Sequence, residues 1–343
     1  MKAKAAIMTG VRQMEVMEFD VPAPGPNEVL VKIQNCNICT TDWQTWTGAR
    51  KRAFPWAPGH EEAGVIAELG AGVTEFEVGD HVALSYAGCG YCDPCRLGNT
   101  VNCKNTVDLV RDGVVGNFAM CQYFLASVRR VFKINPDLPF EEACYLEPLA
   151  TAIHGIRKLR VQPGESLVVI GAGNLGLVNA QAARAFGCKV LVSEVNEKRC
   201  QIAASMGFPI MNPMKDDIIR VTKNFAGGRG VDHVIIAVGN TPATDQALQL
   251  VRRDGRILFF ASGHPSPALN LDVNGVHYGG YELIGTGGAD LVDFDLSARF
   301  LSDGVVKVKQ MVSHRVSIDE AQKAFELAAT PGNYRVSMVM WPK

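Results

Sequence analysis

The chain has 343 residues, of which 47% are apolar and 20% are charged, and its formal net charge is −1. This length exceeds what a single core of ordinary size needs, so we expect two domains. The scattered, balanced charge argues against a nucleic-acid or membrane partner. The amino terminus lacks the apolar core of a signal peptide, and no apolar run reaches the roughly 18 residues of a membrane span, which predicts a cytoplasmic protein.

The first region, residues 1 to about 150, is predicted to consist mainly of strands and turns. Residues 28–33 have a strand-like pattern, and prolines at 22, 24 and 26 mark an extended entry to it. Glycines recur as turn signals along this region, at Gly59, Gly64, Gly70, Gly72 and Gly79.

Four cysteines lie within fifteen residues of this region, spaced C-x2-C-x2-C-x7-C: Cys89, Cys92, Cys95 and Cys103. Thiolates with such spacing are typical of tetrahedral zinc sites. Two disulfides, or four thiols that only pack together, remain as alternatives. Because four thiolates fill every coordination position, we expect a zinc ion here to stabilise the fold and to take no part in a reaction.

The pattern changes after Glu147-Pro148. Short apolar runs without two-residue alternation predict strands buried on both faces, at residues 167–170, 190–192, 234–238 and 257–261. Apolar residues at helical spacing predict helices between them, at residues 174–186, 197–206, 216–225 and 244–251. This alternation predicts an α/β, doubly wound parallel sheet. From about residue 289 the tail carries a predicted helix (318–329) and a closing strand (337–341) that can rejoin the first domain.

A G-x-G-x-x-G sequence, Gly171-Ala172-Gly173-Asn174-Leu175-Gly176, joins the first of these strands to the first helix. Gly171 permits the tight turn, Gly173 lets a pyrophosphate approach the backbone, and Gly176 lets the helix pack on the strand. The helix amino terminus supplies positive potential to the phosphates. The pattern predicts a dinucleotide-binding loop; the alternative is a glycine-rich turn without a ligand.

Glu194 stands at the end of the second predicted strand, eighteen residues after Gly176. A carboxylate there accepts hydrogen bonds from the ribose hydroxyls and repels a 2′-phosphate, which favours NAD over NADP. Arg199 keeps NADP open, since a nearby guanidinium can pair with the extra phosphate. A solvated helix residue is the other interpretation of Arg199.

Several motifs in chain order together resemble the zinc-dependent medium-chain alcohol dehydrogenases over essentially the whole chain. They are residues 37–42 (NICTTD), residues 59–65 (GHEEAGV), the four-cysteine loop, residues 147–149 (EPL) and the G-x-G-x-x-G loop. Glu147-Pro148, in place of a cysteine at the third ligand position, is similar to the polyol (sorbitol-type) and threonine dehydrogenases of that family.

The resemblance implies a GroES-like catalytic domain formed by residues 1–150 and 289–343, and a central Rossmann domain formed by residues 151–288. It also implies NAD as cofactor, a homodimer or homotetramer, and two zinc ions per chain, with the four-cysteine loop holding the structural one. For the catalytic zinc, Cys39 and His60 match the family's ligands, while Glu61 and Glu147 match acidic positions that bind directly or through water. Asp42 would orient His60 through the second ring nitrogen.

Thr41 matches the hydroxyl with which the family passes the alcohol proton outward, although a threonine there can also be a helix cap. The family often has a histidine three residues later as the outer end of this relay. This chain has Gln44, which does not titrate. We therefore expect the proton to leave through ribose and water or through another group.

The leading hypothesis is a zinc-dependent oxidoreductase that transfers a hydride between NAD and a secondary alcohol of a small polyol or sugar alcohol, with a ketone or ketose as product. A close alternative keeps this chemistry and changes the substrate to a β-hydroxy amino acid, as in L-threonine 3-dehydrogenase. An alternative of a different class is a zinc-ribbon-like binding module.

Overall fold

The computed structural model describes residues 1–86, 88–106 and 108–342. The chain divides into two compact units: the first unit is Met1–Ala150 with Ala289–Lys343, and the second unit is Thr151–Gly288. Among the described residues, no helix combines the length and apolar character that crossing a membrane requires.

The first part of the first unit consists of short strands joined by turns and short helices. Its strands are β1 (Lys2–Gly10), β2 (Gln13–Asp20), β3 (Glu28–Asn37), β4 (Trp56–Ala57), β5 (Glu62–Leu69), β6 (His81–Leu84), β7 (Leu109–Arg111), β8 (Val114–Gly116), β9 (Tyr123–Ser127) and β10 (Val131–Lys133). Its helices are α1 (Thr40–Trp46), α2 (Asp93–Arg96) and α3 (Phe140–Ala143). Helix α4 (Leu146–Leu159) then carries the chain into the second unit.

The second unit alternates strands and helices around a parallel sheet. Its strands are β11 (Ser166–Ile170), β12 (Lys189–Ser193), β13 (Ile210–Met211), β14 (Val231–Ile236), β15 (Val251–Phe259) and β16 (Glu282–Gly285). Its further helices are α5 (Asn174–Ala185), α6 (Glu197–Ser205), α7 (Ile218–Phe225), α8 (Thr241–Leu250) and α9 (Val273–Gly279).

The strand order in this sheet is β13-β12-β11-β14-β15-β16, and every neighbouring pair is parallel. This is the order of a doubly wound dinucleotide-binding sheet. All residues of β11 and β14 are buried, as expected of central strands covered on both faces. The predicted parallel sheet is therefore confirmed. Several boundaries differ from the prediction: the strands expected to end at residues 238 and 261 end at Ile236 and Phe259, and Val251 opens β15 instead of ending the preceding helix.

The tail returns to the first unit and completes its larger sheet. Its elements are α10 (Leu291–Ser302), β17 (Val312–Ser317), α11 (Ala321–Ala329) and β18 (Arg335–Val339). Strand β18 pairs antiparallel with β3, with Met338 opposite Cys36, in a sheet of order β10-β6-β5-β3-β18-β17. The predicted closing strand thus lies beside β3. Helix α10 was not predicted from the sequence.

The core of the first unit joins this sheet to a second one of order β2-β1-β4-β8-β7. Fully buried apolar side chains from several strands pack together there, among them Ile7, Ile33, Ile66, Phe124 and Met338. Strands β3 and β5 both contribute buried residues to this core, and the candidate site lies where β3 ends and β5 begins.

Candidate zinc sites and dinucleotide loop

Three candidate ligands meet where β3 ends and β5 begins. The two strands are antiparallel, with Cys36 opposite Glu62, so the residues after β3 lie beside those before β5. Cys39 Sγ, a ring nitrogen of His60 and a carboxylate oxygen of Glu61 lie within 4.8 Å of one another. Sheet pairing therefore brings together residues that are about twenty positions apart in the sequence.

Asp42 ties the two loops of this cluster together. Its Oδ2 accepts a hydrogen bond from the Cys39 backbone N–H at 3.1 Å, and its Oδ1 accepts one from the Gly59 N–H at 3.2 Å. Its distance to His60 Nδ1 is 3.8 Å, which is too long for a hydrogen bond, so Asp42 acts on that ring through its charge. Gly59 has a φ of +98°, and a side chain there would meet the backbone of Met120, which explains the glycine before His60.

Arg335 is a member of this cluster that the sequence analysis missed. Its guanidinium Nη2 lies 2.5 Å from Glu61 Oε1 and 3.7 Å from Cys39 Sγ, and only 4% of the residue is exposed. The Ile38 N–H donates to the Val336 carbonyl, which sets the first residue of β18 beside the loop after β3. The sequence feature that could have indicated this role is the position of Arg335 just before the predicted closing strand.

The charges of the cluster favour a thiolate at Cys39. Burial alone raises the pKa of this thiol, but the Arg335 guanidinium and His60 outweigh burial and bring the pKa to about 6. For His60, burial lowers the pKa, but Asp42 and Cys39 act more strongly together and raise it well above its usual value. Burial raises the pKa of Glu61 well above its usual value, and Arg335 opposes that shift.

This donor set fits a zinc ion. A thiolate, an imidazole and a carboxylate are among the ligands of catalytic zinc sites, which keep one position open. Among the described residues, Glu61 Oε2 is buried and has no hydrogen-bond partner, so it is an orphaned acceptor that a cation would satisfy.

Glu147 lies beside this cluster without being part of it. It is in the first turn of α4 and is buried. Burial raises the pKa of Glu147 to about 7, with His60 opposing the shift and Cys39 adding to it. The structure therefore brings Glu61, and not Glu147, into the group of three ligand atoms.

Thr41 and Gln44 lie on α1, and both are half-buried. The residue that caps this helix is Cys39, so Thr41 is not the cap residue. The Thr41 carbonyl accepts a hydrogen bond from Thr45 Oγ1 at 2.9 Å. The relay role of Thr41 stays a prediction.

The four-cysteine loop folds into a compact thiol cage. The sulfur atoms of Cys89 and Cys95 are 3.9 Å apart, and those of Cys92 and Cys103 are 4.0 Å apart. A disulfide would need about 2.05 Å. Tetrahedral zinc with bonds of about 2.3 Å places its sulfur ligands about 3.8 Å apart. The geometry therefore fits zinc and does not fit two disulfides.

Amide groups support negative charge on this cage. The backbone N–H of Cys92 and the side-chain amide of Asn105 donate to Cys89 Sγ, and the N–H groups of Cys89 and Asn105 donate to Cys103 Sγ. Burial raises the pKa of the Cys89 thiol, but Asn105 and backbone amides outweigh burial and bring it to about 6. Thiolate is the form that binds metal.

The G-x-G-x-x-G sequence forms the turn from β11 into α5. Gly171 has a φ of +100°, and Gly173 precedes the helix, whose first residues are Asn174 and Leu175. A Cβ added at Gly176 would lie 1.9 Å from the Gly171 carbonyl oxygen, so the helix packs against the turn only with glycine there. The loop has the backbone form that a dinucleotide pyrophosphate requires.

Glu194 and Arg199 flank this loop. Glu194 is buried after β12, where its Oε2 accepts from the Ala172 N–H at 2.7 Å and its Oε1 accepts from the N–H groups of Val195 and Asn196 at 2.8 Å. Arg199 lies on α6, with a guanidinium nitrogen 3.7 Å from where a Cβ of Gly173 would stand. The carboxylate and the guanidinium thus both face the loop.

Comparison with known proteins identifies the family. The family model of the alcohol dehydrogenase GroES-like domain matches residues 25–136, and that of the zinc-binding dehydrogenase matches residues 174–303. The chain is 31% identical to a sorbitol dehydrogenase of Bacillus subtilis over 99% of this chain and 97% of that protein. The chain belongs to the zinc-dependent medium-chain alcohol dehydrogenases. It is therefore an oxidoreductase with the predicted GroES-like and Rossmann α/β fold.

Two further proteins are similar to this chain. The chain is 32% identical to an L-threonine 3-dehydrogenase of Pyrococcus furiosus over 91% of each chain. A protein described as a zinc-binding dehydrogenase from Sinorhizobium meliloti, whose crystal structure has bound NADP, is similar with a TM-score of 0.88. That likeness, at 24% identity over 99% of this chain and 100% of that one, concerns the fold.

Proposed function

We propose that this dehydrogenase oxidises a secondary alcohol of a small polyol or sugar alcohol to a ketone, with NAD⁺ as the hydride acceptor. The observation that carries the proposal is the cluster of Cys39, His60 and Glu61, whose thiolate, imidazole and orphaned carboxylate oxygen suit zinc. The relationship to a sorbitol dehydrogenase supports a polyol substrate. Membership in the family replaces the alternative of a zinc-ribbon-like binding module.

Each residue of the cluster has a separate task in this proposal. Cys39, His60 and Glu61 would hold the catalytic zinc, and Arg335 would hold Glu61 in place. When bound, zinc lowers the pKa of a substrate hydroxyl, and NAD⁺ accepts the hydride. Thr41 would accept the proton that the hydroxyl releases and pass it to water, since Gln44 cannot titrate. The four-cysteine cage would hold a second, structural zinc.

The carboxylate of Glu194 is the basis for NAD as the proposed cofactor. Its negative charge at the loop would repel a 2′-phosphate, and like charges brought together at an interface cost several kcal/mol. The NADP-bound structure and Arg199 keep NADP as the second candidate. A homodimer or homotetramer stays a prediction from the family resemblance.

We expect Glu194→Gln to raise the ratio of kcat/KM for NADP⁺ to that for NAD⁺ by at least about 10-fold, because the charge is lost while an acceptor oxygen remains. Steady-state kinetics with both cofactors measure the ratio. Glu197→Gln is the matched control, since Glu197 is exposed and pairs with Lys215 at 2.7 Å. An unchanged ratio in Glu194→Gln would mean that another group selects the cofactor.

The substrate class is tested by turnover with NAD⁺ on a panel of polyols, simple diols, simple secondary alcohols and L-threonine. We expect the highest kcat/KM with polyols. A flat response to every polyol, with clear turnover of L-threonine, would replace the proposal with the β-hydroxy amino acid alternative. That alternative rests on the relationship to the threonine dehydrogenase.

A further inference from the structure

The segment between helix α1 and strand β4 carries three consecutive cations that have no task in the function proposed above. They are Arg50, Lys51 and Arg52, and all three residues are exposed. Helix α1 follows Cys39 directly, and strand β4 ends three residues before His60. The segment with the cations therefore joins the two loops that carry candidate zinc ligands.

These positive charges are not compensated by neighbouring acidic groups. Between Asp42 and Glu61 the sequence contains no acidic residue. Asp42 is buried, and both of its carboxylate oxygens already accept backbone N–H groups. None of the three cations forms an ion pair with a described residue. Because like charges next to one another repel and create a local positive potential, a bound anion would be stabilised here.

The segment is held in place at both of its ends. The Arg50 N–H donates to the Gln44 carbonyl at 3.0 Å, so the chain turns back onto the end of α1. The guanidinium of Arg52 lies 4.4 Å from the ring centroid of Trp56, which is buried in β4. Phe54 packs against the core of the first unit. A cation that is already positioned in this way loses less freedom when it binds an anion.

Helix α1 sets the distance between the cations and the zinc cluster. Cys39 caps this helix, and Gln44, which binds the Arg50 N–H, lies five residues further on. Five residues of α-helix correspond to roughly 7.5 Å along the axis. Thr41 and Gln44 are three residues apart and therefore share one face of the helix. A sugar-sized substrate with one hydroxyl at the zinc has a comparable length, so its far end comes near the cations.

Arginine and lysine at this place suit a small ligand with a carboxylate or a phosphate. A guanidinium binds either group with two parallel hydrogen bonds, and a lysine adds a compact positive charge. The long side chains can also reach over the surface toward the ligand. Clusters that bind anionic lipid surfaces usually contain about four to eight cations, so three cations fit a single anionic group better.

We propose that the substrate is a polyol with a carboxylate or phosphate at the end remote from the oxidised carbon, and that Arg50, Lys51 and Arg52 bind this anionic group. The inference rests on the proposed oxidation of a polyol and names its substrate class. The anionic group is remote from the reacting carbon and binds equally in the ground state and the transition state. The preference should therefore appear mainly in KM, and salt should weaken it.

The test compares sorbitol, L-gulonate and sorbitol 6-phosphate, which share one carbon skeleton and differ only at carbon 6. At low ionic strength we expect kcat/KM for one of the two anions to exceed that for sorbitol by at least about 10-fold. Added sodium chloride should reduce this ratio. Whichever anion is preferred identifies the group as carboxylate or phosphate. A second series of mannitol, mannonate and mannitol 1-phosphate covers the other configuration at carbon 2.

The residues are tested with the triple variant Arg50→Gln, Lys51→Gln, Arg52→Gln. We expect the ratio of kcat/KM for the preferred anion to that for the neutral polyol to fall by about 10-fold or more, because the attraction acts only on the anion. The salt dependence of this ratio should disappear with it. Since all three residues are exposed, the fold should be retained, and thermal unfolding verifies this.

The matched control replaces three exposed cations of the second unit, Lys158, Lys223 and Arg253, by glutamine. It changes the net charge by the same amount and should keep the preference for the anion. Equal kcat/KM for neutral and anionic polyols would overturn the inference, as would a preference that the first triple variant retains or that both variants lose equally. Absence of turnover with every polyol would instead contradict the proposed function. Calorimetric titration of the zinc-loaded enzyme and of both variants with the anions then decides whether these cations bind them.

Discussion

Replacing Cys39 by serine is expected to abolish turnover and to leave the fold intact. Loss of a residue that only supports a metal ligand commonly costs 10- to 100-fold, so loss of the ligand itself should lower kcat/KM by more than about 100-fold. Zinc content should fall from two ions per chain to one, because the four-cysteine cage is untouched. Steady-state kinetics and elemental analysis of the purified protein measure the two effects.

The matched control for Cys39→Ser is Cys121→Ser. Cys121 is also buried in the first unit, and its Sγ donates to the Tyr123 carbonyl at 3.0 Å, a bond that a serine hydroxyl can keep. This control should retain both zinc ions and its activity. If Cys39→Ser stayed active with two zinc ions per chain, the proposed catalytic metal site would be in the wrong place.

Replacing Cys92 by serine should have its main effect on stability. Closed zinc sites contribute binding free energy directly to folding, of the order of 10 kcal/mol in small zinc domains. Even a part of this is worth several kcal/mol, so we expect the Tm to fall by roughly 10 °C or more. One zinc ion per chain should be lost, and calorimetry with elemental analysis detects both changes.

Hydrogen bonds connect the cage to the rest of the first unit. We therefore expect loss of its zinc ion to destabilise that unit as well as the cage. The Thr100 hydroxyl accepts a hydrogen bond from the Leu291 N–H, and Asp290 Oδ1 accepts one from the Val101 N–H at 3.0 Å. These bonds join the segment before Cys103 to the start of α10. Cys121→Ser serves again as the control. Unchanged stability of Cys92→Ser, together with lost activity, would contradict a structural role for the cage.

Local sequence patterns were sufficient to predict the sites that are formed by residues close together in the sequence. The cysteine spacing predicted a cage whose sulfur atoms lie 3.9–4.0 Å apart, because a short loop limits how far its members can separate. The G-x-G-x-x-G loop was equally readable, since the steric demands on Gly171 and Gly176 come from the turn itself. Continuous apolar runs predicted β11 and β14 because central parallel strands are buried on both faces.

Helices and strands in which polar residues interrupt the apolar ones were harder to predict. The helix α10 was missed, although its sequence carries apolar residues, because acidic residues interrupt them. Asp290, which precedes the helix, and Asp293 form its capping box. The edge strand β16 is short and only partly buried, so it gives no strong apolar run.

The family, the cage, the dinucleotide loop and the residue types available for a second metal site can all be read from the order of the residues. Which of these residues meet depends on how the strands pair. Pairing of β3 with β5 brings Cys39 to His60 and Glu61, while Glu147 lies beside that group and outside it. Pairing of β3 with β18 brings Arg335, 274 positions after Glu61, into an ion pair with it. The physical reason is that sheet register joins distant segments, and no local spacing encodes such contacts.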